Sequence, residues 1–231
     1  MPEPWLWGLL GLLVGLSAER VVLQMPRSLL RPYQGQYDPA DFQGPGGGLA
    51  LQPSTARKAL LGAAFGLVWS LVQIKHPDAL VPMLAWTFCA SVLMLLAAID
   101  WNTTLLPDKL VLPLLWAGLL ASERGWISLP ISDSLWSAVG WYLSLFVITR
   151  GYAALRKQSG MADGDIKLMA AMAAWWGWQP LIWVLLISSL LVIVGALVTQ
   201  GSQVTRQTTM PFGPFLVLGV GVWTVVQALW L

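Results

Sequence analysis

The chain has 231 residues, of which 57% are hydrophobic and only 10% charged, with 15 tryptophans. A soluble domain carries about 25% charged residues, so the composition excludes an ordinary water-soluble enzyme and points to an all-α polytopic bundle in a lipid bilayer. The net charge of +2 gives no reason to expect a nucleic-acid partner. The single cysteine, Cys89, excludes a disulfide framework and a cysteine-based zinc site within one chain. It lies in an apolar run and reads as a packing residue.

The first apolar run has no basic segment before it; Glu3 is the only charge there. Leu6–Leu23 therefore reads as a permanent first span rather than a cleaved signal, despite Glu19 and Arg20 near its end. Seven further spans are predicted, at 59–74, 79–99, 110–121, 135–149, 166–178, 180–198 and 212–230. Crossing the hydrocarbon takes about 20 helical residues, and the fourth and sixth runs fall short of that. Both follow acidic motifs. Short helices beside ionisable residues suggest a thinned or hydrated site rather than lipid-facing spans.

Orientation follows from lysine and arginine. With eight spans and both termini outside, the cytoplasmic side receives all the basic residues except Lys75 and Arg124. Asp100 and Asp165 then fall on that side too. Gln24–Thr55 is the one sizeable polar segment. It contains Gly44-Pro45-Gly46-Gly47-Gly48, has few large apolar residues and is expected to be a flexible loop. The domain reading is a first span plus loop over 1–58 and a multi-span domain over 59–231. Trp5, Trp7, Trp101, Trp126 and Trp230 fall near predicted interfaces, as membrane anchors do. His76, in Lys75-His76-Pro77-Asp78, reads as a loop residue.

Two stretches carry chemistry. One is Ile99-Asp100-Trp101-Asn102-Thr103-Thr104-Leu105-Leu106-Pro107-Asp108-Lys109-Leu110; the other is Gly160-Met161-Ala162-Asp163-Gly164-Asp165-Ile166-Lys167-Leu168. An ionisable side chain at the edge of an apolar run is costly and usually functional. Asp108 follows Pro107 and suits a helix N-cap; Asp100 has no such role. Gly164 gives the backbone before Asp165 unusual freedom. Lys167, two positions on, does not share a helix face with Asp165 and need not neutralise it. Taken alone, Asp165 also reads as an N-cap.

These stretches resemble the bacterial type IV prepilin peptidases, intramembrane aspartic proteases with a GxGD signature. The first motif resembles Ile99-Asp100 with Leu105-Leu106-Pro107-Asp108 and then Leu112-Pro113-Leu114-Leu115-Trp116-Ala117-Gly118-Leu119. The second resembles Gly160-Met161 through Gly164-Asp165-Ile166-Lys167-Leu168, running into Ala174-Trp175-Trp176-Gly177-Trp178. A third resembles Met210-Pro211-Phe212-Gly213-Pro214-Phe215. The resemblance spans roughly residues 79–231. It implies Asp100 and Asp165 as the catalytic pair, with Gly164, Lys167, Asp108 and Asp163 as motif neighbours, Asp163 being solvated or beside the pair. It implies no metal or other cofactor. Ala162 replaces the first glycine of the signature, which is tolerable where φ is negative. The implied substrates are prepilins or pseudopilins, cleaved of a short basic leader at the cytoplasmic boundary of the bacterial inner membrane.

The alternatives are a proton-coupled transporter, which would carry deeper acids and often an inverted repeat, and an inactive pilus-assembly scaffold, against which the intact acids argue. Members of this family commonly also N-methylate the cleaved pilin and carry two Cys-x-x-Cys pairs between their first two spans. Here that loop has no cysteine. The end of the first span and the stretch before the second, Gly15-Leu16-Ser17-Ala18-Glu19-Arg20 and Gln52-Pro53-Ser54-Thr55-Ala56-Arg57, also depart from the family's pattern. The expectation is a peptidase that has lost methylation.

Overall fold

The structure is a computed structural model that describes residues 4–33, 38, 42, 44–76, 79–156, 161–200 and 211–230. Gly160 and Met210 of the sequence motifs, and Lys157 and Arg206 of the charge count, lie outside the described residues. Among the described residues the regular elements are helical: α1 (Pro4–Leu30), α2 (Thr55–Lys75), α3 (Leu80–Thr103), α4 (Asp108–Glu123), α5 (Ile131–Arg156), α6 (Asp163–Trp176), α7 (Trp178–Gln200) and α8 (Gly213–Trp230), with short 3-10 turns at Arg31–Tyr33 and Gly48–Ala50. Each of the eight predicted apolar runs forms a helix. Five of them, α1, α2, α3, α5 and α7, are long and apolar enough to cross a membrane. The shorter helices α4 and α6 have 16 and 14 residues, about 24 and 21 Å at 1.5 Å per residue.

The chain forms two compact units, Met1–Leu105 and Leu106–Leu231. In the first, α1 and α2 run antiparallel with their backbones nearly touching. Gly8, Gly11 and Gly15 lie three and four positions apart, hence on one face of α1. A Cβ on Gly11 would stand 2.8 Å from the Phe65 carbonyl oxygen, and one on Gly15 would stand 2.6 Å from that of Leu61. Small residues permit such approaches where no water is available to drive association. The Trp69 indole N–H donates to Ser91 Oγ at 2.9 Å and ties α2 to α3.

The expected boundary of the first span at residue 23 is corrected: α1 continues through Pro26 to Leu30. A proline inside a helix forfeits one backbone hydrogen bond. The next side chain ties this last part of the helix to the loop, as the Arg27 guanidinium donates to the carbonyls of Leu49 and Leu51 at 2.9 and 2.6 Å. The described part of the Gln24–Thr55 loop makes backbone hydrogen bonds to α3. The Gly44 and Gly46 amides donate to the carbonyls of Asn102 and Trp101 at 2.9 and 3.1 Å, so Gly44–Leu51 is a strap laid on the C-terminal end of α3. Both glycines are required there, because a Cβ on either would collide with Trp101 or Asn102.

The second unit is built around α6. Every residue from Ile166 to Trp175, Lys167 apart, is no more than 4% exposed, the all-round burial of a central helix. Its alanines let neighbours come close. The Ser134 hydroxyl donates to Ala174 O at 2.7 Å, and the Trp175 indole N–H donates to Leu114 O at 2.9 Å. Gly118 of α4 leaves the space Trp175 fills; a Cβ there would stand 2.7 Å from the indole nitrogen. Gly177, at φ +80°, ends α6 and passes Trp178 to α7, two residues short of the predicted end at 178. With ψ at −174° beside that positive φ, the cap adopts an extended conformation essentially open to glycine alone.

Candidate active site

Asp100 lies in the last turn of α3, in the first unit, and is 3% exposed. The helix runs past it to Thr103 and closes on Thr104, a non-glycine residue at φ 54° whose amide donates to the Asp100 carbonyl at 2.8 Å. The strap of Gly44 and Gly46 rests on the two carbonyls that follow. Asp165 lies in the first turn of α6, in the second unit, and is 7% exposed. Two carboxylic acids buried to this degree at the ends of apolar helices are rare outside functional sites, because desolvation opposes their charged form.

The N-cap readings of the two motif acids are both corrected. The cap of α6 is Ala162, and Asp165 is its third helical residue; the cap of α4 is Pro107, and neither cap makes a side-chain hydrogen bond. Asp108 instead receives Lys167, whose ammonium donates to both carboxylate oxygens at 2.8 and 2.7 Å. The Lys167 charge is thus engaged, consistent with the expectation that it need not neutralise Asp165. Asp163 is exposed and receives Arg150 at 3.2 Å, while Arg150 also lies over the Phe146 ring at 5.2 Å. Gly164 is helical and does not use a positive φ. Its service is space: a Cβ there would stand 3.0 Å from Leu106 Cβ. Ala162 has φ −71°, so its extra methyl is tolerated.

His76 does more than a plain loop residue would. It caps α2, stacks on Trp86 with centroids 6.4 Å apart, and has its pKa lowered by burial and then by Lys75. Glu19, in the sequence no more than a charge near a span end, has a larger part in the fold. It is 1% exposed, accepts the Ser54 amide at 2.8 Å, and lies 3.5 and 3.7 Å from Arg57 and Lys58. The signal for it is Arg57-Lys58 at the start of the next span, since an acid inside an apolar run needs a cation to meet it.

Comparison with known proteins bears on the same helices. A family model described as the type IV leader peptidase family matches residues 87–197, which include both buried acids. Residues 87–197 belong to the type IV leader peptidase family. Proteins named prepilin leader peptidase/N-methyltransferase are similar over a wider stretch. The one from Escherichia coli K12 is 44% identical over 124 residues, 54% of this chain and 55% of the relative. The Pseudomonas putida relative is 39% identical over 166 residues, 64% of this chain and 57% of its own. The Dickeya chrysanthemi relative is 36% identical over 174 residues, 75% of this chain and 61% of its own. The chain thus spans rather more than half the length of these relatives. No solved structure matches it. The leader peptidase domain takes in most of α3, all of α4, α5 and α6, and most of α7.

Proposed function

We propose that this chain is a membrane-embedded aspartic endopeptidase that removes the short basic leader from type IV prepilins or pseudopilins, with Asp100 and Asp165 as its catalytic pair. The observation that carries the reading is that both acids are almost wholly buried inside a leader peptidase domain. The catalytic portion runs over residues 59–231, and the acids face the cytoplasm, on the side the lysine and arginine bias assigns to them.

Two carboxyl groups acting together titrate as a pair, and one proton is shared between them. The ionised member removes a proton from water, whose oxygen bonds to the scissile carbonyl carbon. The protonated member gives its proton to the carbonyl oxygen, producing a gem-diol. The carbon–nitrogen bond then breaks, its electron pair leaving with nitrogen, which takes the proton first lifted from water. As that bond breaks, one gem-diol hydroxyl gives its proton to the other carboxylate and becomes the carbonyl of the leader carboxyl; the pilin amine and the leader carboxyl are released, and the pair again holds its single shared proton. Lys167 held by Asp108, and Arg150 held by Asp163, keep their charges on carboxylates other than the pair.

Co-expression with a prepilin tests this. Asp100→Asn and Asp165→Asn each abolish processing while the protein still accumulates in the inner membrane, whereas Asp163→Asn and Asp108→Asn retain part of it. Full processing by an Asp100→Asn protein of normal abundance would remove Asp100 from the mechanism. Methylation of the new N-terminus is proposed to be lost, because Gln24–Thr55 holds no cysteine and part of it serves as a strap on α3. A methyl group on the mature pilin that depends on this protein, detected by mass spectrometry, would show the contrary.

A further inference from the structure

A second polar site lies in the first unit, where α1 and α2 leave their apolar stretch. A cavity of about 220 Å³ is lined by Glu19, Arg20, Leu23, Gln24, Arg27, Pro53 and Lys58. That is the room of about seven water molecules at ~30 Å³ each, sufficient for a phosphate group and its substituents. Three cations face it and one carboxylate. That carboxylate is already engaged: Glu19 accepts the Ser54 amide and lies beside Arg57 and Lys58. One negative charge cannot neutralise Arg20, Arg27, Arg57 and Lys58, so the cavity keeps a surplus of positive charge.

The cations are also held ready. Arg27 uses Nε and Nη2 on the strap carbonyls. Of the five N–H donors of a guanidinium, those on Nη1 remain. Lys58 is held 3.7 Å from Glu19 with its side chain 44% exposed. Arg20 is exposed and makes no ion pair among the described residues. Around this polar end α1 presents apolar side chains outward, Leu16 one turn before Arg20 and Val21 next to it. A cationic cavity rimmed by apolar surface at the end of membrane helices matches a lipid, with phosphate within and acyl chains alongside.

We propose that this cavity binds the phosphate of an anionic phospholipid headgroup, with Arg20, Lys58 and the free face of Arg27 as its ligands. The site is separate from Asp100 and Asp165 and does not depend on the peptidase reading. It reaches the strap through Arg27, which serves the cavity and holds Leu49 and Leu51.

The test uses the full chain purified in a neutral detergent and titrated with phosphatidylglycerol, with phosphatidylcholine and with inorganic phosphate, bound molecules being counted by native mass spectrometry. One phosphatidylglycerol is retained per chain in preference to phosphatidylcholine. Arg20→Gln and Lys58→Gln each weaken retention about fivefold, the effect of about one cation near an anionic headgroup. Lys75→Gln, at the far end of α2, leaves it unchanged. Lys58→Gln disturbs Glu19 as well, so Arg20→Gln, which breaks no pair among the described residues, is the deciding variant. Equal retention of the two lipids, unchanged retention in Arg20→Gln, or an equal loss in Lys75→Gln overturns the proposal. Inorganic phosphate binding as tightly as phosphatidylglycerol would also overturn it, by assigning the site to a soluble ion.

Discussion

The two units solve the same problem, packing apolar helices closely, in opposite ways. In the first, the backbones of α1 and α2 meet at glycines, and the long-range polar ties include the Arg27 strap, the buried Glu19 cluster and the Trp69–Ser91 bond. In the second, a short alanine-rich helix is wrapped on all sides, and a large indole is its main anchor. The first therefore depends on the absence of atoms at a few positions. The second depends on their presence. Asp100 immediately precedes the two α3 carbonyls that the strap holds, and Asp165 is at the head of the wrapped helix.

The largest effect that sharpens this contrast is expected from the second unit. Trp175→Ala removes a buried indole and its bond to Leu114 O, and is expected to destabilise by about 3–5 kcal/mol, the range for aromatic-to-alanine truncation in a core. Thermal unfolding in detergent reads it; a loss below about 1 kcal/mol, the size of an ordinary surface or near-surface change, would mean that α6 is not the centre of its unit. Next comes Gly15→Ala in the first unit. The new methyl meets the Leu61 carbonyl and the Gly62 Cα at 2.6 and 2.7 Å, backbone atoms that cannot swing aside. About 1–3 kcal/mol of destabilisation follows from overpacking. Gly151→Ala is the control, since a Cβ there meets nothing within 4 Å. Equal effects at the two positions would break the comparison.

The smallest effect is expected at the ion pair of the second unit. Lys167 and Asp108 have side chains 34% and 52% exposed, so Lys167→Gln is expected to cost about 0.2–1 kcal/mol, as partly exposed pairs do. Its unfolding temperature should lie much nearer to that of the unaltered protein than that of Trp175→Ala does. A loss comparable to Trp175→Ala would mean that rim charges, and not the wrapped helix, hold this unit together.

Much of the architecture is legible as hydrophobic runs. Each forms a helix, and the shortness of the fourth and sixth persists because Pro107 and Gly177 bound them. The two acids stand out because a carboxylate among apolar residues is too costly to be kept without a use. Partnership at a distance is what the sequence hides. Asp108 has the composition of a cap, and only the fold supplies Lys167, 59 residues on. Gly44-Pro45-Gly46 has the composition of a free loop, and nothing local announces that its amides meet α3. Gly164 is a related case. Sequence reports that a glycine is present but not whether it serves dihedral freedom or clearance, and here Leu106 decides for clearance.

The strap has one consequence of a mechanical kind. A helix advances about 100° of rotation per residue, so a carboxylate's bearing depends on how far its helix has turned about its own axis. The last carbonyls of a helix ordinarily bond to water, which leaves that angle to side-chain packing alone. At the end of α3, Trp101 and Asn102 offer their carbonyls to amides two residues apart on one strap. Two bolts on one shaft prevent it from turning. The compass bearing of Asp100 is thereby set by residues that need never touch its carboxylate, in a stretch whose composition promised only slack.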